Sequence, residues 1–135
     1  GTVSAKFAEG HGNNGAIVTF TGLVRGGADD RLEAMEIEHY PGMTEAALNA
    51  MAENAINRFS LGDALIIHRY GRLVPGEVIM MVATAARHRK NAFEAAEFLM
   101  DYLKSRAPFW KREISDSGAS WVASKDEDED ALSRW

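Results

Sequence analysis

The sequence contains no cysteine. Disulfides, a thiol nucleophile and thiolate-bound metals are thereby excluded, and any sulfur handled by the chain has to arrive on a partner or a substrate. No apolar run approaches the ~18 residues that a membrane-spanning helix requires. The opening Gly1-Thr2-Val3 lacks a basic stretch followed by an apolar one, so no signal peptide is expected. A reducing, cytoplasmic setting fits these absences. Excess positive charge is missing too. The formal net charge is -5, which argues against general nucleic-acid binding, because that affinity rests on neutralising many phosphates. There is no GxSxG, P-loop or dinucleotide fingerprint. His11 and His68 have no partners at metal-ligand spacing, so neither a metal nor another cofactor is expected.

What remains is an ordinary globular composition, 46% hydrophobic and 26% charged, in a length that suits one domain over residues 1–135. "AIVTFTGLV" (Ala16 to Val24) is β-branched and apolar, and "RGGADD" closes it, so a strand runs into a loop. In "EAMEIEHY", Met35, Ile37 and His39 alternate with Glu36 and Glu38, the pattern of a half-buried strand; on that apolar side His39 reads as a core histidine. After "PGMT", Thr44 is the expected N-cap of a helix whose Leu48, Met51, Ala55 and Phe59 recur at helical spacing. "ALIIHRYG" is a further strand, and "RLVPGEVIMMVATA" supplies two more about a Pro-Gly turn. The continuous apolar run from Val78 to Ala83 belongs in the middle of a sheet. A second helix follows, with Phe93, Ala96, Met100, Leu103 and Ala107 on its apolar stripe, and Pro108 stops it. "FWKREI" and "SWVAS" then flank a hairpin turn, and "DEDED" (Asp126 to Asp130) is an acidic block. The expected class is α+β: a mostly antiparallel sheet with two main helices packed on it.

Charge is unevenly placed. Between Arg87 and Arg112 lie seven of the fifteen Lys/Arg, against only Glu94, Glu97 and Asp101. Lys104 sits at the edge of the second helix's buried face, near a C-terminus whose dipole favours a cation. Lys111 follows the proline in an extended segment, so helix end and returning strand bring both lysines to one locality. Two ammonium groups held close lower each other's basicity, and an anion between them restores the balance. Plain helix-end cations and protective strand-edge lysines are the competing readings. "RHRK" (Arg87 to Lys90) stands where a strand ends and a helix begins; free backbone N–H groups there favour an anion, with His88 and Arg89 as added donors. It also reads as a solvated turn, and Arg25 at a strand's exit as an ordinary loop arginine. The residues alone therefore reach a cationic, aromatic-walled pocket for a small anion.

Five stretches, "GAIVTFTGLVR", "EIEHYPGMTEAAL", "IIHRYGRLVPGE", "RHRKNAFEAAEFLMDYLKSRAPFWKRE" and the final "RW", closely resemble the large, catalytic subunit of molybdopterin synthase. The resemblance runs in order from about Gly15 to Trp135. It implies an α/β-hammerhead fold and a homodimer at the centre of a heterotetramer. It also implies a small ubiquitin-like sulfur-carrier subunit whose C-terminal Gly-Gly bears a thiocarboxylate. The implied reaction installs a dithiolene on cyclic pyranopterin monophosphate, making the chain a sulfurtransferase of molybdenum cofactor biosynthesis. By motif, Arg25, His88, Arg89, Lys104, Lys111 and Arg112 match the family's substrate pocket, with Leu23, Val24 and Glu113 adjoining. Lys104 and Lys111 would be catalytic, and His88 and Arg89 would serve a neighbouring protomer. Two rival classes stay open at this point: a phosphate-ester or nucleotide-processing enzyme, and a non-catalytic partner-binding module.

Overall fold

The computed structural model describes residues 7, 12–26, 32–106, 108–116, 118–122 and 126–135. His11, most of the "RGGADD" loop, Ala107 and the end of "SWVAS" lie outside them. In chain order the elements are β1 (Ala16–Leu23), β2 (Leu32–His39), α1 (Met43–Phe59), β3 (Asp63–His68), β4 (Gly71–Leu73) and β5 (Val78–Ala86). Then follow α2 (Arg89–Ser105), β6 (Phe109–Ser115), β7 (Gly118–Val122) and α3 (Asp126–Leu132).

The class is α+β, as expected, but the strands form two antiparallel sheets, ordered β1-β5-β3 and β4-β2-β6-β7. The apolar run of β5 is indeed central, between β1 and β3. Although β4 and β5 flank the Pro75-Gly76 turn, they join different sheets: β4 pairs with β2. The backbone of Val24 takes up the turn instead, its N–H donating to the Glu77 carbonyl at 2.9 Å and its carbonyl accepting from the Gly76 N–H at 2.8 Å. Gly76 has φ of 92°, a left-handed turn conformation that glycine adopts without strain.

The core gathers where α2 lies on β5, around Val82, Phe98 and Leu99. Small side chains on α2 (Ala92, Ala95, Ala96) are buried, which lets the helix approach the sheet closely. There the buried Thr84 hydroxyl of β5 donates to the Ala92 carbonyl at 2.7 Å. Two expectations, on Phe93 and on Thr44, are corrected. Phe93 is 61% exposed rather than on the buried stripe, because the alanines fill the narrow space against the sheet and the stripe turns by one residue. Thr44 lies inside α1, whose N-cap is Gly42; its buried hydroxyl accepts from the Tyr40 N–H at 3.0 Å and donates to the Pro108 carbonyl at 3.1 Å. The acidic block is helical, forming the start of α3. Carboxylates suit a helix N-terminus. This one is fastened by Arg106 to Glu129 at 2.6 Å and by Trp135, which packs edge-on against Phe59 and Phe98.

Candidate functional site

A cavity of about 540 Å³ opens where the end of β1, the last turn of α2 and the start of β6 converge. Its floor depends on a glycine. A Cβ on Gly22 would come within 3.2 Å of the Met80 sulfur, so the bare backbone lets β1 lie tight on β5. Immediately after it the register shifts between Gly22 and Leu23, leaving Leu23 paired with Val78. Such a bulge re-aims the side chains that follow. Leu23 at the end of β1 and Val24 and Arg25 just beyond it all line the cavity. Val24, 3% exposed and held on both sides by the Pro75-Gly76 turn, fixes where Arg25 begins.

The opposite wall carries Lys104 and Lys111. Lys104 is in the last turn of α2; Pro108 lets the chain return as β6, where Lys111 pairs with the buried Ile37 of β2. The ammonium of Lys111 is pushed below the ordinary lysine value, first by burial and then by repulsion from Lys104. Asp128 of α3 pulls the other way, restoring part of its affinity for a proton. Glu113, two residues on and on the same face of β6, stands exposed at the rim.

Arg112 points elsewhere. It lies on the other face of β6, bonded to its cross-strand neighbour Glu36 and with its guanidinium 5.5 Å from the ring centre of Trp121, its neighbour on β7. Glu36 raises its already high pKa further. His88 and Arg89 are also apart from the lysines within one chain. They are exposed at the start of α2, with His88 as its extended N-cap, roughly 22 Å along the helix from Lys104 at 1.5 Å per residue. Of the nine residues that the sequence pointed to, Leu23, Val24, Arg25, Lys104, Lys111 and Glu113 share this cavity.

Sequence reasoning missed two groups. His68, at the exit of β3, lines the cavity because β3 pairs with β5 in a register that sets it opposite Met80. Its ring stacks on Phe109, centroids 3.8 Å apart and planes 20° off parallel. Burial, with Lys111 and Lys104 adding repulsion, lowers its pKa to about 4, against a smaller raising effect from its bond to the Arg69 carbonyl. Asp128 was hidden within the acidic block. No group of three or more His, Asp or Glu among the described residues has a geometry that would hold a metal ion. None of the described helices is long and apolar enough to cross a membrane.

Comparison with known proteins puts this geometry in context. The sequence model of the MoaE protein family matches residues 2–106. The molybdopterin synthase catalytic subunit of Cereibacter sphaeroides is 66% identical over 135 residues, covering 100% of this chain and 92% of that protein. The solved MoaE protein of Burkholderia ambifaria has a TM-score of 0.84 at 47% identity, over 99% of this chain and 88% of that one. A chain from a protein–protein complex of subunits 1 and 2 of molybdopterin-converting factor from Helicobacter pylori shares the fold, with a TM-score of 0.73 at 21% identity, over 93% of this chain and 81% of that one. With a family match across residues 2–106 and a relative 66% identical over all 135 residues of this chain, the chain belongs to the MoaE family.

Proposed function

We propose that the cavity is the sulfur-transfer site of a molybdopterin synthase catalytic subunit, acting on cyclic pyranopterin monophosphate. The observation that carries this reading is the pairing of a desolvated Lys111 with Lys104 in one cavity whose far wall presents Arg25. Such a site draws in two anions at once, a cyclic phosphate and a thiocarboxylate. It screens the repulsion between them and holds the sulfur against its target carbon. The chain has no cysteine of its own to supply sulfur, which suits the arrival of the sulfur on the carrier's C-terminal Gly-Gly tail that the family resemblance implies. The thiocarboxylate sulfur attacks an oxygen-bearing carbon of the substrate, and the new thioester forms as that carbon–oxygen bond breaks and its oxygen departs protonated. Water then splits the acyl–sulfur bond, releasing the carrier's carboxylate and leaving a thiol on the substrate carbon. A second carrier repeats the transfer on the neighbouring carbon. Lys104 stands nearer the carrier's entry. Lys111, its proton held weakly, moves protons during thioester formation and hydrolysis.

The distance from His88 and Arg89 to the lysines supports a homodimer in which these two serve the phosphate in the partner's cavity. One carrier on each protomer then makes the heterotetramer. The test is incubation of the purified chain with cyclic pyranopterin monophosphate and thiocarboxylated carrier, reading molybdopterin as its fluorescent oxidised derivative. Product should form only when the carrier bears its thiocarboxylate. Turnover of the pterin by the isolated chain would refute the reading.

A further inference from the structure

The cavity's cations are donors only, and so can hold anions but cannot read an N–H or O–H on the guest. A further carboxylate could accept such a bond, but it would also pair with a lysine and cancel the charge that attracts the anions. A neutral acceptor avoids that conflict, and His68 has the features of one. Its Nδ1 lies 2.8 Å from the Arg69 carbonyl. A carbonyl oxygen accepts and never donates, so Nδ1 carries the hydrogen and Nε2 is left as the ring's unprotonated nitrogen. The stack on Phe109 fixes the ring plane, and the ring lines the same cavity as Lys104 and Lys111. Burial and both lysines keep the imidazole neutral at physiological pH.

We propose that His68 orients the substrate: Nε2, the sole free acceptor of a ring locked by the Arg69 carbonyl and Phe109, takes a hydrogen bond from an N–H or O–H of the heterocycle while leaving both lysines charged for the anions. This rests on the sulfur-transfer reading above. It separates two selections made by one cavity. The cations choose for negative charge, and His68 chooses for a donor-bearing ring held in one orientation.

The test compares wild type, His68→Phe and His68→Gln in the reconstituted synthase. Phenylalanine keeps a flat ring against Phe109 but accepts nothing; glutamine restores an acceptor at the ε position. His68→Phe should lower kcat/KM for the pterin about 10-fold or more, the scale of one lost hydrogen bond that leaves its donor unsatisfied. Its KM for the thiocarboxylated carrier and its melting temperature should stay near wild type, and His68→Gln should recover most of the loss. Wild-type kcat/KM in His68→Phe overturns the proposal. So does an equal rise in both KM values with a fall in melting temperature, which marks a packing role. Nitrogen NMR of the wild-type chain gives an independent reading: His68 should be the Nδ1–H tautomer at pH 7, and an Nε2–H tautomer overturns the proposal whatever the activity. Failure of the wild type itself to make product sinks the sulfur-transfer reading and this proposal together, and is thereby told apart from failure of His68 alone.

Discussion

Lys111 and Arg112 are adjacent cations on one strand, and β6 treats them in opposite ways. Alternation turns Lys111 into the cavity, where burial and Lys104 make its charge costly. The same alternation turns Arg112 onto a cross-strand row, Glu36 to one side and Trp121 to the other, that stabilises its charge. One face of the strand holds a cation the fold would be more comfortable without, and the other holds a cation the fold uses. The difference teaches where to look for chemistry: a charge kept despite its cost has a task beyond stability.

The comparison breaks most sharply in Lys111→Met. Activity with thiocarboxylated carrier should fall on the order of 100-fold or more, the range of a lost proton-transfer group. Melting temperature at pH 7 should hold or rise, since an apolar chain of similar reach relieves the desolvation. Full activity in this variant would remove Lys111 from the mechanism. Arg112→Ala should do the reverse, lowering the melting temperature and costing far less activity. Glu36→Gln should copy its direction, and a double-mutant cycle should show the two coupled. An activity loss as large as that of Lys111→Met would place Arg112 on the substrate instead. A pH series sharpens the contrast. Because folding lowers the pKa of Lys111, the unfolded chain binds its proton more tightly, and the penalty is full below the folded pKa. The gap in melting temperature between wild type and Lys111→Met should therefore narrow as pH climbs towards 10.5, where the free lysine also loses its charge. The smallest effect is a control away from β6. Ser60 caps α1 in the left-handed region at φ 55°, so Ser60→Gly should stabilise the chain by about 1 kcal/mol and leave activity alone.

Periodicity reached much of this architecture. The central place of β5 follows from its unbroken apolar run, and both main helices follow from their three-to-four repeats and, for α2, from Pro108. Periodicity erred where a neighbour decided the outcome. The alanines of α2 read as filler, yet their smallness turns that face inward and Phe93 outward. Thr44 has the chemistry of a cap, but Pro108, far along the chain, claims its hydroxyl. Periodicity assigned no element to the acidic block, which is a helix held by Arg106 and by the rings beneath Trp135, none of them adjacent to it in sequence. At the site, the two lysines were legible from one ten-residue stretch, since a helix end and a returning strand meet locally. His68 was not, because only the pairing of β3 with β5 brings it there, and pairing partners leave no mark within a single strand.

Val24 bears on how the cavity receives its guest. Its two backbone bonds fasten the lip of the pocket to the turn that joins β4 of one sheet to β5 of the other. The root of Arg25 is thus anchored at the seam of the whole framework instead of riding on a slack loop. Most of the ordering that an arriving phosphate would otherwise have to impose there was completed when the polypeptide folded, so more of the attraction is left to hold the ligand.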